Sequence, residues 1–158
     1  MTESFLSQYR ASLTMLRTAI ENYPDELWLD QSFVNPAWRI AYHALYYTHL
    51  YLTRTEEEFV PWEHAIAEAN HMGEPLKEGA APHPRESILE YLDWIYGFVP
   101  VGLSNKPFDS SSGFDWITMN RGQLHIYNLR HLQHHMGQLA ERLKSEADVS
   151  IDWVGRIG

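Results

Sequence analysis

The feature that most constrains the fold of this chain is the recurrence of apolar residues at intervals of three and four in four separate stretches. This spacing lines one face of an α-helix with apolar side chains. The stretches are 2–22, about 36–59, 84–99 and about 121–146. The last is the most regular, and its apolar line consists of Leu129, Leu132, Met136, Leu139 and Leu143.

No stretch shows the alternating pattern of a β-strand, so the sequence predicts an all-α fold, a four-helix bundle. Residues 61–84 contain four prolines and two glycines. We expect this stretch to form a long crossover connection, with at most a short helix around 64–69. Such a connection permits topologies other than simple up-and-down. At 158 residues, the chain is expected to fold as a single domain, 1–158.

The composition of the chain excludes some kinds of metal site and makes some partners unlikely. The chain has no cysteine, so a metal site would have to use histidines and carboxylates. The formal net charge of −9 argues against nucleic acid as a partner. No apolar run approaches the roughly 18 residues of a membrane span, and no secretion signal is recognisable, so we expect a cytoplasmic protein without a membrane partner.

Three histidines fall within five residues on the last predicted helix, namely His131, His134 and His135. His131 and His135 are four residues apart, which places both imidazoles on one helix face, close enough to bind one metal ion. His134 lies farther round the helix and is expected to face solvent or a dimer partner.

Two histidines alone would hold a metal weakly, and His43 offers a third ligand because it lies on the buried face of another predicted helix. The predicted metal ligands are therefore His43, His131 and His135. Three neutral imidazoles suit zinc, nickel, copper or ferrous iron and leave a coordination position for water or substrate.

A structural role is the competing interpretation for each histidine. A single histidine on an apolar face is usually a hydrogen-bonded core residue, and a pair at this spacing is often solvated. We expect a structural role for the isolated histidines, which are His49, His64, His71, His83 and His125.

The chain resembles the DinB-like superfamily of metal-binding four-helix bundles. The resemblance rests on His131, His135, Gly137 and Gln138, which match a His-x-x-x-His-x-Gly-Gln motif, and on the aromatic-flanked His43. It implies a bundle with one long crossover, a divalent ion on the three histidines, with zinc or nickel favoured over iron, and a homodimer. It also implies a relation to transferases that use small thiols such as bacillithiol or mycothiol.

Several functions stay open at this point. The first is a metal-dependent enzyme acting on a small-molecule substrate, either a thiol-dependent S-transferase or a hydrolase. The second is a non-enzymatic metal-binding or sensor module, and the third is a helical interaction protein whose histidines bind nothing. Zinc proteases carry a glutamate directly after the first histidine of their motif, but Leu132 and Gln133 follow His131, so no general base is visible.

Overall fold

A computed structural model describes residues 1–74 and 81–158 of the chain. The regular elements assigned in these residues are all α-helices, which confirms the all-α prediction. The helices are α1 (Thr2–Asn22), α2 (Asp25–Trp28), α3 (Ala37–Leu52), α4 (Arg85–Ser104) and α5 (Arg121–Ala147).

The apolar faces of the four long helices meet in one hydrophobic core. Leu13 of α1, Leu45 of α3, Ile95 of α4 and Leu139 of α5 are all fully buried in it. Helix α1 packs against α4 and α5, and α3 packs against the same two helices. The predicted line on α5 is confirmed, because four of its five members are buried and Leu129 is partly buried.

Helices α3 and α5 run in opposite directions. At one end of the pair, the buried Arg121 at the start of α5 donates to the carbonyl of Leu52, the last residue of α3 (3.0 Å). Further along α5, the Asn128 side chain donates to the carbonyl of Thr48, which precedes Leu52 on α3 (3.2 Å). Position along α5 therefore increases as position along α3 decreases, and the pairing continues towards His43.

Helices α3 and α4 run in the same direction. Tyr42 in the first half of α3 contacts the ring of Tyr91 in the first half of α4 (6.3 Å between centroids). Leu52 at the end of α3 lies against Gly102 near the end of α4. The chain between these helices must therefore return along α3 before α4 can begin.

The returning chain is held by Arg39, a buried side chain on α3. Its guanidinium donates to the carbonyls of Ala69 (3.3 Å), His71 and Glu74. With the Glu68 carbonyl (3.5 Å), four backbone carbonyls thus solvate a buried cation and fix the path of the segment up to residue 74. Part of the predicted connection, residues 75–80, lies outside the described residues.

The second predicted helix ends earlier than expected. It was predicted to continue to about residue 59, but α3 ends at Leu52 and the backbone of Thr53 is extended. The Thr53 hydroxyl donates to the carbonyl of His49 (3.1 Å), and the Arg121 guanidinium donates to the carbonyl of Leu52. Because the second of these partners comes from another part of the chain, a local pattern could not reveal this end of the helix.

The third predicted helix continues further than expected. It was predicted to end at Pro100, yet α4 includes this proline and ends at Ser104. Pro100 is exposed, and the turn after it is held because Gly102 contacts α3 and its carbonyl accepts from Arg121 (3.3 Å). The short helix α2 was not predicted, and residues 64–69 form turns rather than a helix.

The chain after α5 follows the core surface. Val149, Ile151 and Val154 pack against it, and the Ile157 amide donates to the Ser7 hydroxyl (3.2 Å). None of the helices within 1–74 and 81–158 combines the length and the apolar character that crossing a membrane requires.

Two glycines give opposite predictions for replacement by alanine. A Cβ at Gly102 would lie 2.8 Å from the Leu52 Cβ and 2.9 Å from the Leu52 carbonyl oxygen, whereas a Cβ at Gly137 would meet nothing within 4 Å. We expect Gly102→Ala to lower the free energy of unfolding by about 1–3 kcal/mol through overpacking. Gly137→Ala should raise it by about 0.5–1 kcal/mol, because alanine favours the helix.

Urea unfolding of the two variants beside the wild type measures both effects. The close approach of α3 and α4 would be contradicted if Gly102→Ala unfolded at the same urea concentration as the wild type.

Candidate metal centre

Three histidines converge in the middle of the α3–α5 pair, one from α3 and two from α5. The Nε2 atom of His131 lies 3.0 Å from Nε2 of His43 and 3.1 Å from Nε2 of His135. One ligand atom from each residue lies within 4.8 Å of the other two. The structure therefore brings together the three residues that the sequence analysis selected.

The outer nitrogens of two of these histidines are engaged. Nδ1 of His43 donates to the carbonyl of Asn70 (2.6 Å), and Nδ1 of His135 donates to Oε1 of Gln138 (2.7 Å). Because both acceptors need a proton on Nδ1, the Nε2 atoms of both histidines carry lone pairs. These lone pairs point towards Nε2 of His131.

His131 cannot satisfy both neighbours with hydrogen bonds. A neutral imidazole has one N–H, so Nε2 of His131 donates to one of its two neighbours at most. Its other ring nitrogen, Nδ1, is buried and has no hydrogen-bond partner within the described part of the chain. Lone pairs of the ring nitrogens therefore face each other in this cluster. A cation at its centre would remove their mutual repulsion.

The spacing fits a single ion. Nitrogen ligands about 2.0–2.1 Å from one metal ion, at angles between octahedral and tetrahedral, lie about 2.9–3.4 Å from each other. The two Nε2 separations of 3.0 and 3.1 Å fall in this range. The donor set is nitrogen alone, since no carboxylate belongs to this group in the residues that the structure describes.

Burial keeps the cluster neutral at pH 7. It lowers the pKa of His43 to about 4 and that of His131 to about 3, and it also lowers the pKa of His135. Neutral imidazole is the form that binds metal ions, so these residues need not lose a proton first.

Aromatic and backbone groups complete the surroundings. The Tyr47 ring packs against His43 (4.8 Å between centroids) and His131 (5.4 Å).

The sequence analysis missed the Asn70 carbonyl, because no side-chain pattern marks a backbone acceptor in a connection. Gln138, which belongs to the motif that carries the family resemblance, holds the ring of His135, whereas Asn128 on the same helix binds the carbonyl of Thr48.

The other histidines stay outside the cluster. His134 is exposed, as predicted, and its ring packs on His135 (4.9 Å between centroids). The buried His49, His83 and His125 make ring contacts in the interior. No further group of three potential metal ligands occurs in residues 1–74 and 81–158.

Comparisons of the chain with known protein families, with curated proteins and with solved structures found no match. The family resemblance therefore stays a prediction, and functional inference rests on the site.

The buried histidines predict that the metal-free protein loses stability in acid. Burial lowers the pKa of six histidines, which are His43, His49, His83, His125, His131 and His135. In the unfolded chain these side chains bind protons near pH 6.5. In the folded chain the pKa of His135 is lower than this, and the other five histidines bind protons only near pH 3–4. The free energy of unfolding should therefore fall as the pH drops below about 6.5.

Urea unfolding of chelator-treated protein at about pH 7.5 and about pH 5.0 measures this loss. His131→Gln should show a smaller drop than the wild type, while the exposed-site control His134→Gln should show the full drop. Equal stability at the two pH values would contradict the neutral, buried state of these histidines.

Proposed function

We propose that the protein holds one divalent metal ion on the Nε2 atoms of His43, His131 and His135 and uses it for chemistry on a small-molecule substrate. The observation that carries the proposal is that the Nε2 atoms of His43 and His135 lie 3.0 and 3.1 Å from Nε2 of His131, while their own Nδ1 atoms are engaged elsewhere. A site of hydrogen-bonded core histidines would pair its nitrogens with donors instead.

The proposed ion is zinc or nickel, with iron as the next choice. Imidazole suits all three metals, and three protein ligands leave at least one position for an exogenous group. The outer hydrogen bonds of His43 and His135 support this assignment, because metal-binding histidines usually donate their second N–H to a carbonyl or a side-chain oxygen.

The proposed architecture is a four-helix bundle with a long crossover, as in the DinB-like superfamily. It is supported by the parallel course of α3 and α4, which requires the chain between them to return along α3. The positions of the histidines on α3 and α5 agree with it. A homodimer, which the resemblance implies, and a cytoplasmic location complete the proposal.

Among reactions, we favour thiol-dependent S-transfer, with hydrolysis as the alternative. A divalent ion with an open position lowers the pKa of a bound thiol or water. Hydrolysis also draws on a general base, and no carboxylate joins the three histidines in the described residues. A thiol has a pKa near 8.5 and needs less help to ionise, so a low-molecular-weight thiol fits this site better than water does.

A structural or sensor role is the second candidate function. The observation that favours it is that the ligands come from two helices, His43 from α3 and both others from α5. An ion there would join these helices and stabilise the fold by mass action.

Single replacements test the ligand set. We expect wild-type protein purified without a histidine tag to contain about one equivalent of zinc, nickel or iron, and His43→Ala, His131→Ala and His135→Ala each to lose it. His134→Ala is the matched control, because this exposed histidine lies beside the cluster without joining it, and it should retain the metal. Elemental analysis of the four variants and the wild type measures the content.

Two results would contradict the assignment. One is wild-type protein that carries no metal and binds none on addition, and the other is full metal content in any of the three ligand variants.

Removing a supporting residue should weaken binding without abolishing it. Gln138→Leu leaves all three ligands in place but removes the acceptor that fixes the His135 ring, so we expect metal affinity to fall about 10- to 100-fold. Competition with a chromophoric chelator measures the affinity. Gln133→Leu on another face of α5 serves as the control, and equal affinities for the two variants would argue against the role of Gln138.

Cobalt substitution separates chemistry from a structural role. If the open position serves a thiol, adding a small thiol to the cobalt-loaded protein should produce a near-ultraviolet thiolate-to-metal absorption band, and chelator-treated protein should remain folded by circular dichroism. A cobalt spectrum unchanged by thiols, together with unfolding on metal removal, would favour the structural role.

A further inference from the structure

A second candidate site lies on the other side of α3. A cavity of about 560 Å³ opens between the end of α3, the chain that follows it and α4. It shares no lining residue with the histidine cluster. On α3, His43 faces α5, whereas His49, which lines this cavity, faces α4 and contacts Tyr91 there.

Aromatic rings form much of the cavity wall. Trp62 stacks on Tyr91 with ring centroids 4.6 Å apart and planes within 1°. Trp94 stacks on Phe98 at 5.0 Å and 15°. Trp94 is nonetheless 49% exposed, so part of this ring borders the cavity and remains open to solvent.

The wall is organised in advance of any ligand. Besides its stack on Tyr91, the Trp62 ring contacts Tyr42 (6.5 Å between centroids) and His83 (5.2 Å). The Tyr91 hydroxyl and Nδ1 of His49 share a hydrogen bond of 2.9 Å. Rings fixed in this way lose little further conformational freedom when a ligand binds.

The charges around the cavity are negative. Glu58, Glu63 and Glu90 line it, and the described lining residues include no lysine or arginine. Arg54 lies 4.0 Å from the Glu58 carboxylate and offsets part of its charge. Burial lowers the pKa of His49 to about 4, so this histidine adds no positive charge at pH 7.

We propose that this cavity binds a small organic cation of the quaternary ammonium class. The open surface of the tryptophan rings attracts a cation, and the apolar wall accommodates its methyl groups. The carboxylates complement its charge, and the net charge of −9 favours its approach to the protein. The ligand is a free molecule, because the site is a cavity of small-molecule size.

Choline and its uncharged isostere 3,3-dimethylbutan-1-ol are suitable probes. In ¹⁵N-labelled protein, each of the six tryptophans gives an indole N–H signal. We expect choline to shift the signals of Trp62 and Trp94 and to bind at least about threefold more tightly than the isostere. The same shifts should occur in His43→Ala, which would separate this site from the histidine cluster.

Two replacements identify the groups responsible. Trp94→Leu keeps an apolar side chain but removes the π face, and we expect it to weaken choline binding about two- to thirtyfold. The exposed Trp153 on the C-terminal tail provides the control Trp153→Leu. Glu90→Gln should also weaken choline binding without affecting the isostere, while Glu86→Gln, one turn away and outside the cavity, should leave both unchanged.

Three results would overturn the proposal. Equal binding of choline and the isostere would indicate an apolar pocket without cation recognition. Absence of shifts at Trp62 and Trp94 up to about 10 mM choline would indicate no site. Co-sedimentation with phosphatidylcholine vesicles without binding of free choline would assign the group to a lipid surface instead.

Discussion

The antiparallel register of α3 and α5 is the constraint on which the candidate metal centre depends. Arg121 joins the start of α5 to the carbonyl of Leu52, Asn128 joins its first third to Thr48, and His131 then meets His43. The first and last of these contacts are separated by nine residues on α3 and ten on α5, or about 14 and 15 Å at 1.5 Å per residue. The nearly equal lengths let all three contacts form at once.

The returning chain adds the second requirement of the site. Arg39 lies four residues before His43 on α3, and its buried guanidinium binds carbonyls on both sides of Asn70. The Asn70 carbonyl then fixes the tautomer and the ring orientation of His43. A buried cation thus positions an uncharged acceptor, and the acceptor directs the Nε2 lone pair of His43 towards the cluster.

The sequence predicted the parts of this arrangement that have local causes. The periodicity of 121–146 predicted α5 almost to the residue, and the spacing of His131 and His135 predicted a shared face. The end of α3 and the continuation of α4 through Pro100 could not be predicted, because Arg121 and the contact of Gly102 with Leu52 come from distant parts of the chain. The role of the Asn70 carbonyl as acceptor for His43 could not be predicted either, because this contact also joins distant parts of the chain.

The central claim is that one ion binds to the Nε2 atoms of three histidines, and anomalous diffraction at the absorption edge of the bound metal tests it most directly. The account predicts a single strong peak about 2.0–2.1 Å from Nε2 of His43, His131 and His135, with Nδ1 of His43 still bound to the Asn70 carbonyl. The account would be contradicted by an ion that is bound through Nδ1 of these histidines, or by an ion elsewhere on the protein with no peak at the cluster.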